Sequence, residues 1–337
     1  MRPIIGVTMG DAAGIGPEII AKALSIREIY ELCRPIVIGD AHVIKETVKI
    51  IGVDTRVNSL HDIGKAKFDF GTIDVLDMSN IDLSNLRVGQ VDAMAGKAAV
   101  QYVETAVRLA LDGKIHAIAT APINKEAISI AGCPYAGHTE LLAHLTDTRN
   151  YAMMLIVGSL RVVHVTTHVS MRKACDMIKK RRVFDVIQLA NQALLRMGTK
   201  KPRIAVASFN PHAGEGGLFG TEEIEEIKPA VDLARIEGLD VLGPFPPDTV
   251  FVKARGGAYD AVVAMYHDQG HIPVKLLGLE WNEKEGRWTS VTGINVTIGL
   301  PIMRSSVDHG TAFGKAWKGT ANPQSMIEAI RFAASVA

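Results

Sequence analysis

The chain has 337 residues, 47% hydrophobic and 22% charged, with a net charge of +1. Such proportions suit a soluble globular protein built as one large α/β unit or two domains, and without a basic stripe nucleic acid is an unsuitable partner. Cys33, Cys133 and Cys175 lie far apart with no CxxC spacing, which speaks against a disulfide framework and fits a reducing cytosol. The opening MRPIIGVTMGD has too short an apolar run for a signal peptide, and no run approaches the roughly 18 residues of a membrane helix. The expected location is cytoplasmic, with no membrane partner.

Ile4–Thr8 reads as a first strand. Gly10-Asp-Ala-Ala-Gly-Ile-Gly-Pro-Glu18 follows, with glycines for a tight turn, Pro17 for a first helical position and Glu18 for the helix N-terminus. This is a glycine loop opening a helix, without the G-x-G-x-x-G or P-loop spacing. Pro35–Gly39 reads as a strand, Ala41–Ile51 as a helix and Phe68–Asp77 as a strand. Val91–Leu111 carries an apolar face at helical spacing, with Gly113 as its stop. Ala117–Thr120 is the next strand. Alternating strands and helices predict a wound, mostly parallel α/β sheet.

Beyond Pro122, GHTE at 137–140 precedes a helix over Leu141–Leu145, with Thr139 suited to an N-cap. Tyr151–Val157 and Leu160–Thr167 flank Gly158-Ser159 and read as a β-hairpin, a candidate dimer arm with an exposed edge. The basic run Lys179–Arg182 suits a helix end or a solvated face. Val183–Met197 and Glu222–Glu237 read as helices, and Arg203–Ser208, Val241–Leu242 and Gly293–Ile298 as strands. A helix over Pro323–Val336 closes the chain.

The segment AVVAMYHDQGHIPVK, Ala261–Lys275, stands out. A short apolar strand delivers Tyr266, His267, Asp268, Gln269, His271 and Lys275 to its carboxyl end, where open α/β sheets bind ligands. His168 and His212 end two other apolar runs in the same way. Three imidazoles released from strand ends suit a divalent metal, while Pro273 after His271 argues against helical spacing there and against a fourth ligand. Lys275 and Arg304 suit a phosphate or carboxylate. Asp248 and Asp268 are carboxylates able to orient an imidazole or accept a proton. Lys275 and Asp248 are the catalytic candidates.

In order along the chain, GDAAGIGPE, GHTE, TTH at 166–168, NPHAGEGG at 210–217, PPDT at 246–249, YHDQG at 266–270, GINVTIGLP at 293–301 and RSSVDHGTA at 304–312 resemble the PdxA family. The resemblance implies an isocitrate/isopropylmalate dehydrogenase-like fold of two α/β subdomains, an NAD-side one over 1–125 and 293–337 and a substrate, metal and dimerisation one over 126–292. It implies NAD and a divalent metal (Zn, Mg or Co), the metal held by His168, His212 and His267 with one histidine from a second subunit of a homodimer. It implies substrate contacts at His138, Thr139, Lys275, Asn295 and Arg304, and an adenosine loop at Asp308, His309, Gly310 and Thr311. The implied reaction oxidises the C3 hydroxyl of a phosphorylated four-carbon acid and releases CO2.

Two departures, GDAAGIGPE in place of GEPAGIGPE and an apparent insertion over Glu280–Trp288, look more like the branch acting on 4-phospho-D-threonate or 4-phospho-D-erythronate than the branch acting on 4-hydroxythreonine 4-phosphate. The competing readings are a metal-dependent hydrolase of a phosphorylated small molecule and a sensor that binds such an acid without turnover.

Overall fold

The computed structural model describes residues 2–284 and 287–337, with the backbone alone over 287–291. The strands begin with β1 (Ile4–Thr8), β2 (Arg34–Gly39), β3 (Arg56–Leu60), β4 (Thr72–Asp77) and β5 (Ala117–Thr120). They are followed by β6 (Ala152–Val157), β7 (Leu160–His164), β8 (Ile204–Ala207), β9 (Val241–Phe245), β10 (Ala261–Ala264), β11 (Leu279–Asn282), β12 (Arg287–Val291), β13 (Ile294–Ile298) and β14 (Met303–Val307). The helices are α1 (Gly16–Ala23), α2 (Arg27–Leu32), α3 (Ala41–Ile51), α4 (Ala93–Leu111), α5 (Lys125–Ile130) and α6 (His138–Leu145). Then come α7 (Met171–Met177), α8 (Lys180–Arg196), α9 (Lys228–Ile236), α10 (Pro247–Arg255), α11 (His267–Gly278) and α12 (Gln324–Val336).

Two compact units form, Met1–Thr148 with Leu300–Ala337, and Arg149–Gly299. Both boundaries expected from sequence, after 125 and before 293, lie further along the chain here, and the first moves past α6. The reason is that α5 and α6 pack on α4; a Cβ on Gly96 of α4 would lie 2.2 Å from the Ala127 carbonyl oxygen of α5.

The first unit holds six strands in the order β3-β4-β2-β1-β5-β14, every pair parallel. Runs such as IIGVT and RPIVIG are buried almost throughout, as strands of a parallel sheet are. β14, which carries Arg304, is a strand that the sequence reading did not assign. MRSSV lacks the apolar signature, yet every residue of it is buried. Its polar groups find partners instead: the Ser305 hydroxyl donates to the Ala329 carbonyl at 2.7 Å, and Arg304 donates to Thr120.

The second unit orders its main strands β13-β6-β7-β10-β8-β9. The expected hairpin is β6–β7, turning at Gly158, whose φ of 53° suits the tight turn. It is no free arm: β6 pairs with β13 and β7 with β10, so both of its outer edges are taken. Between β7, β10, β8 and β9 the pairing is parallel. Leu155, Val162, Ala205, Val262 and Val274 form the centre of this unit's core. The insertion read over 280–288 overlaps the β11–β12 ribbon, with Glu285 and Gly286 outside the described residues.

Candidate active site

Parallel pairing of β7, β10 and β8 brings three chain segments to one end of the second unit's sheet. Thr166 locks the first to the second: its hydroxyl donates to the Met265 carbonyl at 2.9 Å. Gln269 locks the second to the third, accepting from the Met265 N–H at 2.7 Å and donating to the Ser208 carbonyl at 2.7 Å. These clamps satisfy backbone groups that end where the ladder ends.

The result places His168 beside His267, ring centroids 5.6 Å apart. Both line a cavity of about 360 Å³ with Thr166, Tyr266, Asp268 and Ser170. Two imidazoles sharing a tetrahedral ion, each nitrogen about 2.1 Å from it, set their centroids roughly 5 Å apart; the observed pair fits that reach. His267 Nδ1 lies 2.6 Å from Asp268 Oδ1, the carboxylate–imidazole pairing that leaves Nε2 as a lone-pair donor. Among the described residues no group of three or more His, Cys, Asp or Glu side chains is close enough to hold one ion.

His212 does not line that cavity. It opens a turn in which His212, Ala213, Gly214, Glu215 and Gly216 all have positive φ, from 43° to 76°. Three of these are not glycine, and each such residue stores roughly 1 kcal/mol or more. The buried Glu223 holds this loop by its stem, accepting from Phe209 N (2.7 Å), Asn210 N (2.8 Å) and Asn210 Nδ2 (2.9 Å). Glu223 escaped the sequence reading, which placed it only within an expected helix over Glu222–Glu237.

Helix α11 begins at His267 and runs through Pro273, against the expectation that proline breaks the spacing. His267, His271 and Lys275 therefore share one helical face. His271 stacks on His267 and also meets His164 on β7. Burial, with His271 alongside, pushes the His164 imidazole down to about 3. Asn295 on β13 donates to the Met153 sulfur at 2.8 Å, and its Oδ1 is buried without a partner. Asp248 is an exposed carboxylate in the first turn of α10.

The first unit holds the remaining candidates. Arg304, 2% exposed, donates from Nε (3.2 Å) and Nη2 (2.7 Å) to the Thr120 hydroxyl. Burial pushes its guanidinium down to about 9 while Glu140 pulls it back up, which keeps it cationic at neutral pH. Burial and the Arg304 charge hold His138 well below the usual imidazole range, and its Nε2 is buried without a partner. Helix α6 starts at His138 behind Gly137, so Thr139 lies inside the first turn and is not the cap.

The glycine loop is knitted to the 308–317 segment: Ile15 N donates to the Thr311 carbonyl at 3.0 Å, and Trp317 Nε1 to the Ala12 carbonyl at 2.9 Å. Asp308 N donates to Ser325, and His309 Nδ1 lies 3.0 Å from the Gly310 carbonyl. Glu18 is buried and holds the 319–321 segment, accepting from Ala321 N at 2.6 Å. In the same loop Asp11 is fully buried, one oxygen accepting from Ala13 N and the other without a partner.

A family model described as pyridoxal phosphate biosynthetic protein PdxA matches residues 31–333. A protein of Oceanobacillus iheyensis, named for an inferred D-threonate 4-phosphate dehydrogenase activity, is 50% identical over 338 residues, 100% of this chain and 98% of its own. The crystal structure of a 4-hydroxythreonine-4-phosphate dehydrogenase from Klebsiella pneumoniae matches with a TM-score of 0.88 at 47% identity, covering 99% of each chain. Another of that name, from Burkholderia phymatum, matches with a TM-score of 0.85 at 48% identity over 100% of this chain and 98% of that one.

Proposed function

The chain belongs to the PdxA family, and from that premise we propose that it is a dehydrogenase acting on the C3 hydroxyl of a 4-phosphorylated four-carbon acid. NAD and a divalent metal are its cofactors in this reading, and CO2 is lost from the β-keto acid that oxidation creates. The preferred substrate is 4-phospho-D-threonate or its erythronate epimer, over 4-hydroxythreonine 4-phosphate. The name of the relative from O. iheyensis supports that choice, as do the two departures in the opening loop and at 280–288.

The observation that carries the reading is the meeting of His168 and His267 on one cavity, with His267 oriented by Asp268. These two imidazoles would hold the ion and His212 would complete the set, one donor arriving from a second subunit. When bound, the ion lends Lewis acidity at the C3 oxygen and the nicotinamide takes the hydride. The chain's own side chains do the rest. Lys275 orients a substrate anion, and Asn295 offers its buried Oδ1 to a hydroxyl. Asp248 is the proposed proton acceptor. Arg304, with His138 and Thr139, takes a substrate anion. The glycine loop and Asp308–Thr311, already tied together, would carry the dinucleotide. A shared homodimeric site is supported by the exposed apolar residues Ile272 (57%), Leu276 (77%) and Trp281 (56%) on and after α11.

The test is NADH formation by the full chain with each acid in parallel, with and without chelator. Chelator-sensitive turnover of the threonate confirms the proposal. Turnover of the amino acid alone moves the chain to pyridoxal phosphate synthesis. Phosphate release without NADH, from metal-loaded protein, replaces the dehydrogenase by a hydrolase.

A further inference from the structure

Four imidazoles form a continuous series from the core of the second unit to its cavity. His164, 1% exposed on β7, meets His271 at 4.8 Å between centroids. His271 lies flat on His267, centroids 3.6 Å apart and planes 12° apart. His267 then faces His168 across 5.6 Å. The series requires Gly270: a Cβ there would stand 2.3 Å from His164 Nε2.

The hydrogen bonds fix the roles of the nitrogens. His271 Nδ1 lies 2.9 Å from the His267 carbonyl oxygen. A carbonyl has no proton to give, so Nδ1 carries the hydrogen and donates. His267 Nδ1 is taken by Asp268. Two constraints therefore act on the His267 ring. The carboxylate sets its direction in the plane, and the flat neighbour at van der Waals distance prevents the plane from rotating. His271 is not a co-ligand in this arrangement, because lone pairs in two nearly parallel rings with centroids 3.6 Å apart do not converge on one ion at about 2.1 Å.

We propose that His271 is a positioning residue: by stacking it holds the His267 imidazole in its ligating orientation, with His164 as the buried floor beneath it. This rests on the metal-dependent reading above and adds to it the device that pre-sets one donor. Groups that orient a ligand change metal affinity by roughly 10–100-fold.

The experiment titrates the metal-free full-length protein with Co²⁺, following the visible bands that report coordination, for wild type, His271→Ala and His271→Phe. Thermal unfolding of each metal-free protein is measured alongside. His271→Ala is expected to weaken Co²⁺ binding by roughly 10–100-fold and alter the bands. His271→Phe keeps a flat ring without the Nδ1 donor and is expected to restore most of the affinity, whatever its thermal midpoint. Unchanged binding by His271→Ala overturns the proposal, and so does His271→Phe binding no better than His271→Ala. A wild type that binds no Co²⁺ overturns it together with the metal-dependent reading. A wild type that binds Co²⁺ but oxidises neither acid sinks the substrate assignment alone.

Discussion

Glu223→Ala tests whether the strained loop bearing His212 is held by one carboxylate. Glu223 is 4% exposed and accepts two backbone N–H groups and one side-chain amide. Truncation orphans Phe209 N and Asn210 N. At roughly 1.5 kcal/mol for each charge-assisted bond the loss is about 3 kcal/mol. The left-handed His212, Ala213 and Glu215 store a comparable strain, at roughly 1 kcal/mol each, so little remains to hold the loop once the clamp is gone. A loss of about 3 kcal/mol raises the open population about a hundredfold.

Amide exchange by mass spectrometry, on peptides spanning 209–217 of the full chain, reads this directly. The expected result is about a hundredfold faster exchange there with little change in α12. Glu223→Gln is expected to be milder, because both backbone donors use Oε1, which glutamine retains. Unchanged exchange in Glu223→Ala would show that the loop is held by something else and would refute the reasoning.

Burial and the nearby Asp92 raise the Asp11 carboxyl from 3.8 to about 6. Folding therefore favours its neutral form: that stabilisation is complete below pH 3.8 and is lost as pH rises through about 6. Asp11→Asn should flatten this slope and exceed wild type by at most about 3 kcal/mol above it, read as denaturation midpoints at acid and neutral pH; an equal difference at both contradicts the assignment. Gly270→Ala sets a Cβ 2.3 Å from His164 Nε2 and 2.7 Å from Val162 Cγ1, and should cost about 2 kcal/mol or more by overpacking. Gly314→Ala, with nothing within 4 Å of its Cβ, should change the denaturant midpoint little. Arg304→Lys gives up the two contacts of one guanidinium with the Thr120 hydroxyl; kcat/KM for a phosphorylated acid should fall roughly 10–100-fold, the scale of one lost hydrogen bond to a charged group, and an unchanged value removes Arg304 from the site. Leu276→Asp should yield monomers by light scattering without NADH formation, and active monomers would end the shared-site reading.

Much of the fold was legible because local signals agreed with their surroundings. β1, β2, β5 and β10 are short apolar runs bounded by turn residues, and α3, α4 and α12 carry apolar faces at helical spacing with recognisable ends. Asp40 and Asp92 cap α3 and α4 by accepting N–H bonds in the first turn. β14 was not legible: Arg304, Ser305 and Ser306 are polar, and their burial depends on acceptors at Thr120 on β5, Ala329 in α12 and Val307 on β14 itself. Helix α11 was hidden by Pro273, which a tertiary setting accommodated against its local preference.

The sequence by itself determined the alternating α/β order, the family motifs, and that His168, His212 and His267 each follow a strand, because these depend on residue type and spacing along the chain. Only the tertiary structure decided which of them meet. Parallel pairing of β7 with β10 and the Thr166 clamp place His168 by His267, while Glu223 and a left-handed turn hold His212 apart from their cavity wall. It also decided that His164 lies beneath His271. The physical reason is that stacking, burial and strand register act between residues about a hundred positions apart, and no local pattern carries them.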